Sequence, residues 1–177
     1  MTDVVTTEST ATVIVATPSS ATVNVSGPAS AVIKVNPDVT PEVAFAVSGG
    51  SLGTQPTFNG APLFSGSYIK AGNLVHFQIQ VLFTNITSFG TGQYYLELPF
   101  ASKHAYQFAA GCLHDISTSR DYPIFGHVDA GATQMVLKSI DAQGNSAFNV
   151  AFTHNVPVTL STADNFHLSG SYIAEES

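Results

Sequence analysis

The chain has 177 residues, enough for one compact domain with an appendage, and its net charge of −7 includes only five Lys and Arg. Binding to phosphates needs clustered cations, so composition argues against a nucleic-acid partner, and no run of 18 apolar residues is present to span a membrane. A charged fraction of 10% beside 44% apolar residues, 14 Gly and 9 Pro points to a turn-rich all-β protein whose polarity is carried by Ser, Thr, Asn and Gln.

The opening MTDVVTTEST lacks the basic and apolar regions of a secretory signal, so the product is expected in the cytoplasm of the cell that makes it. From residue 11 the chain repeats with a period of ten. Val13, Val23, Ile33 and Val43 fall in one column, Val15, Val25, Val35 and Phe45 in a second, and Pro18, Pro28 and Pro37 punctuate the ends. Each unit has room for one strand of about five residues and a turn, well below the roughly 20–50 residues of solenoid repeats. Lys34 and Glu42 sit on the face opposite the Val column, which therefore meets water. Four strands of Ala and Val bury too little area to stand alone, so the arm 1–46 is expected to attach to a partner surface. Val13, Val15, Val23, Val25, Ile33, Val35 and Val43 are the expected contacts.

Residues 47–58 are rich in Gly, Pro and Ser and read as a connection. A second domain is expected over 59–177. Its strongest strand is Leu74 to Thr84, with Val75, Phe77, Ile79, Val81 and Phe83 on one face and His76, Gln78 and Gln80 on the other. In TGQYYLELPF, Tyr94, Leu96 and Leu98 oppose Tyr95, Glu97 and Pro99, while ATQMVLKSI and NFHLSGSYI supply two more strands. FTNITSFGTG, DISTSRDYP and DAQGNSA read as connections. Strands every 10–15 residues without helices between them suit a β-sandwich or jelly roll. The phrase SGSYI at 65–69 and again at 169–173 suggests first and last strands lying side by side.

The stretch GSYIKAGNLVHFQIQVLFTN followed by GTGQYYLELPF resembles a β-sandwich domain of tailed-bacteriophage structural proteins, on Gly66, Tyr68, Gly72, Asn73, Leu74, Val75, Gly90, Gly92, Leu98, Pro99 and Phe100. The resemblance is close over residues 66–100. It implies a knob similar in outline to the trimeric jelly rolls of the tumour necrosis factor and C1q class, and hence a homotrimer at the virion surface. With only about 50 residues before the knob, the repeats suit a mounting layer better than a shaft. The expected function is that of a capsid decoration protein or short head fibre docked on the major capsid protein or another virion protein. The alternative is a receptor-binding tail fibre or tail tip that contacts host surface glycans.

Catalysis is not expected. His114, Asp115, Ser117, Ser119 and Asp121 in LHDISTSRDYP read as a polar loop, because no Gly-x-Ser-x-Gly elbow accompanies them. The acids of the second domain, Glu97, Asp115, Asp121, Asp129, Asp141 and Asp164, give poor support for a glycosidase pair. His76, His104, His114, His127, His154 and His167 form no tight ligand spacing, so no metal and no cofactor is expected. Cys112, the single cysteine, is expected as a small buried residue. Tyr94 and Tyr95, neighbours that must face opposite ways, are the expected knob-interface or glycan contacts.

Overall fold

A computed structural model describes residues 39–140 and 150–175. The columns at Val13, Val15, Val23, Val25, Ile33 and Val35 and the DAQGNSA connection lie outside the described residues. The described chain is all β: β1 (Val43–Phe45), β2 (Gly49–Ser51), β3 (Thr57–Phe58), β4 (Leu63–Ala71), β5 (Leu74–Leu82), β6 (Ile86–Ser88), β7 (Tyr94–Glu97), β8 (Gln107–Asp115), β9 (Arg120–Val128), β10 (Gln134–Ser139), β11 (Val150–Ala151) and β12 (Asn165–Ile173). One sheet runs in the order β1-β4-β5-β12-β8-β9-β10-β7-β2, β11 pairs with β10, and β3 and β6 form a separate ribbon.

The edges of that sheet force it to curl. Laid flat, β1 and β2 would stand about 38 Å apart at the usual strand spacing. Only Ala46 to Ser48 separate them in sequence, and the step from Phe45 to Gly49 spans at most about 14 Å. One segment therefore pairs with β4 at one edge and crosses to β7 at the other, where the Glu97 N–H also donates to the Ser48 carbonyl at 2.8 Å. The outcome is a curled, open half-barrel, sandwich-like in that facing halves of one sheet enclose the core.

Strict alternation fills that core. Val75, Phe77, Ile79 and Val81 of β5 are all buried, as are Phe83 beyond it, Leu96 and Leu98 around β7, and Phe166, Leu168 and Tyr172 of β12. Aromatic edges lock the layers: Phe152 meets Phe166 at 5.8 Å and Tyr94 at 5.7 Å between centroids, and Phe77 meets Tyr172 at 5.9 Å. Between β8 and β12 the backbones are so close that a Cβ on Gly111 would collide with the His167 carbonyl oxygen.

Several expectations change. Residues 47–58 are not a free connection, because β2 and β3 lie within them. A Cβ on Gly49 would meet the Tyr95 carbonyl oxygen at 2.6 Å, so this glycine serves close strand packing rather than freedom. Val43, expected to face a partner, pairs with Tyr68 on the core side and is half-buried within its own chain. The two SGSYI strands are not side by side, since β5 lies between β4 and β12 and pairs with both. DISTSRDYP is mostly hairpin: only residues 116–119 turn, and Arg120 to Pro123 already belong to β9.

Candidate binding face

The same alternation presents a second set of side chains to the outside. On β4, β5, β12 and β8 none of the outward residues is Asp, Glu, Lys or Arg. Register places Ser67, Gln78, Ser169 and Ala110 in one row across the four strands, with Ser65, Gln80, His167 and Cys112 in the next. The short side chains of β4 and β8 flank the longer ones of β5, leaving a trough of about 470 Å³ lined by Ser65, Ser67, Gln78, Gln80, His167 and Ser169, with Ala110 at one side.

Its hydrogen bonds are arranged from one end. The Ser67 hydroxyl donates to Glu42 Oε1 at 2.6 Å, and Gln78 Nε2 donates to the same oxygen at 3.1 Å and to Ser67 Oγ at 3.0 Å. Gln78 thus commits its Nε2 hydrogens and keeps Oε1 as an acceptor. In the next outward row, His76 Nδ1 and Ser171 Oγ are 3.0 Å apart.

Beyond Ala110 along β8 the outer face becomes aromatic. Tyr106 and Phe108 are 71% and 63% exposed, and both rings lie against the His127 imidazole, at 5.2 Å and 6.0 Å between centroids. Tyr106 holds a left-handed backbone, with φ of 58°. His127 Nε2 is enclosed without a hydrogen-bond partner, 3.5 Å from Asp129 Oδ1.

At the far end of β8, an imidazole and a carboxylate pair beside the outward thiol of Cys112. His114 Nδ1 lies 2.7 Å from Asp121 Oδ1, and the Cys112 thiol donates to the Leu113 carbonyl at 3.7 Å. A cysteine nucleophile needs a depressed thiol pKa. Here burial and then the nearby Asp121 charge push the thiol up, while the Asp121 carboxylate is held down chiefly by the His114 bond. The surroundings therefore favour a protonated thiol near an ionised acid. Cys112 is half-buried on the outer face rather than a core residue as expected, because its strand position faces away from Leu113.

The remaining polar loop residues hold a turn. Asp115 Oδ1 accepts from the Ser117 and Thr118 N–H groups and from the Ser117 hydroxyl, and Oδ2 accepts from the Thr118 hydroxyl. Asp164 accepts from the N–H groups of Ile116 and Ser161. Both carboxylates are buried and occupied, so neither faces a substrate. Among the described residues no three His, Cys, Asp or Glu come together as a metal cage.

Of the expected tyrosine contacts, Tyr94 is a core residue whose hydroxyl donates to the Phe89 carbonyl at 2.6 Å, and burial pushes its pKa well up. Only Tyr95 faces outward, half-buried beside Gly50. Sequence reasoning did not single out Tyr106 and Phe108. The available signal was parity, since Phe108 is out of phase with Leu113 on the same strand. A scan against known protein families finds no match, and searches of curated proteins and of solved structures likewise find none.

Proposed function

We propose that the chain is a non-enzymatic, homotrimeric surface protein of a bacteriophage virion, a capsid decoration protein or short head fibre. It is made in the host cytoplasm, docks on the major capsid protein by its N-terminal repeats, and projects a jelly-roll-like knob. The observation that carries this reading is an exposed apolar corner where the repeats join the knob. Val39, Ile69 and Leu74 are 53%, 39% and 46% exposed. They are gathered on one face by the Val39–Ala71 bridge and the Ala71–Leu74 pairing. Full burial of such a side chain from water contributes about 1.5–3 kcal/mol, and roughly half of that is still available at each of these half-exposed positions. Packing at this corner brings the arms of several subunits together, which multiplies docking through effective concentration. The threefold number comes from the resemblance of residues 66–100 to phage knobs.

Light scattering of the full chain, beside the Ile69→Lys/Leu74→Lys variant, tests the assembly: a trimer that the variant converts to monomer is expected. Quantitative mass spectrometry of purified virions tests the setting. Hundreds of copies per particle support decoration, a handful moves the receptor-binding tail fibre ahead, and absence overturns both.

A further inference from the structure

We propose that the trough and the aromatic shelf at its end form a binding site for a neutral saccharide of two or three sugar units. The inference goes beyond the virion reading and stands on the knob alone.

The trough's chemistry fits hydroxyl groups and little else. Gln78, Gln80, Ser65 and Ser169 offer uncharged donors and acceptors side by side, with the His167 ring among them, the combination a sugar hydroxyl uses because it both donates and accepts. Charge argues against the alternatives. The outward residues of the four strands include no Lys or Arg to hold a phosphate, sulfate or carboxylate, and the one acid at the rim, Glu42, already accepts two hydrogen bonds. An anionic or strongly cationic ligand would enter without compensation. A volume of about 470 Å³ lies within the roughly 300–1,000 Å³ of small-ligand sites.

The shelf supplies what the trough lacks. Phe108 is two residues from Ala110 on the outer side of β8, so its ring stands about 7 Å along the strand from the trough's edge. Tyr106 and Phe108 are the two most exposed large apolar side chains among the described residues, yet both are braced against His127. Braced and exposed aromatic rings offer an apolar face to the C–H side of a pyranose while neighbouring polar groups take its hydroxyls, at little cost in ordering.

The full-length protein, applied to an array of neutral and acidic oligosaccharides and then titrated calorimetrically with the strongest neutral hit, tests the site. Binding to neutral saccharides is expected. Phe108→Ala and Ser169→Gln, both at exposed positions away from the core, should each weaken it at least tenfold with the unfolding temperature unchanged. Binding that both variants leave intact overturns the site. Binding confined to acidic saccharides, or none across the array, overturns the proposal itself, whereas virion copy number bears only on the function proposed above.

Discussion

The Tyr172 hydroxyl holds the backbone of Phe100 twice, donating to its carbonyl oxygen at 3.0 Å and accepting from its N–H at 3.2 Å. The Phe100 ring meets the Tyr68 ring edge-on at 5.2 Å, with Lys70 Nζ 4.6 Å from its centroid. Tyr68 and Tyr172 are the tyrosines of the two SGSYI strands, and the residue they share ends the Leu-Pro-Phe run. The repeated phrase thus reports a common inward target rather than strand adjacency.

Burial pushes the Tyr172 pKa up to about 12, with the Phe100 hydrogen bond partly opposing it. A tyrosine in the unfolded chain ionises near 10, so between the two values the unfolded state holds fewer protons and stability falls as pH rises. Thermal melts from pH 8 to 11.5 should show a steady decline that begins near pH 10. Tyr172→Phe should lower stability by about 1–3 kcal/mol at neutral pH, because it leaves the Phe100 groups unpaired, and should make the alkaline decline shallower, with buried Tyr94 supplying the remainder. An unchanged slope in the variant would assign the decline to other groups.

Asp115 gives the opposite dependence. The Ser117 and Thr118 hydroxyls, followed by their N–H groups, hold its carboxyl below the usual range against the opposing effect of burial. Its contribution is therefore complete above the unfolded value near 3.9 and is lost as pH falls through the folded one. Asp115→Asn should cost about 1–3 kcal/mol at pH 7 and narrow the stability gap between pH 5 and pH 3, measured by urea unfolding. Equal acid sensitivity in the variant would count against this assignment.

The two faces of β5 can be separated by substitution. Phe77 is 2% exposed and packs on Tyr172, so Phe77→Ala should cost about 3–5 kcal/mol. His76 next to it faces outward and is exposed, and His76→Ala should change stability by less than about 1 kcal/mol. Similar losses at both positions in denaturant melts would mean the strand is buried on both sides.

What the sequence made legible follows from contrast between faces. β5 alternates large apolar with polar residues, and all of its inward set is buried as expected. β8 was missed because its inward Ala109 and Gly111 are no larger than its outward Ala110, so period-two contrast vanishes until Leu113. Residues 47–58 misled for a related reason. Glycine in a loop and glycine under a neighbouring backbone look identical in sequence, and only the 2.6 Å approach at Gly49 tells them apart. The trough was illegible because its rows join residues up to about a hundred positions apart, as Gln78 joins Ser67 and Ser169.

The boundary between arm and knob sets the last prediction. Thr40 donates its N–H to the Lys70 carbonyl at 2.8 Å and accepts from the Lys70 N–H at 2.9 Å, Val39 bridges to Ala71, and the Phe45 ring lies 6.1 Å from that of Tyr68. Residues 39–46 therefore belong to the knob sheet, and a cut after residue 46 exposes the edge of β4. Deleting residues 1–38 should leave the unfolding free energy within about 1 kcal/mol of the full chain, whereas deleting 1–46 should cost about 2 kcal/mol or more through lost strand pairing and the Phe45 ring. If the valine columns dock the protein, the 1–38 deletion should also abolish association with capsids while the knob still folds, and Val23→Asp with Ile33→Asp should do the same in the full chain. Thr, Asn and Ser dominate the face opposite those columns, so docking should weaken only mildly with added salt. Full occupancy of particles by the truncated knob would remove the mounting role from the repeats, make them a shaft or spacer, and move the tail-fibre reading ahead.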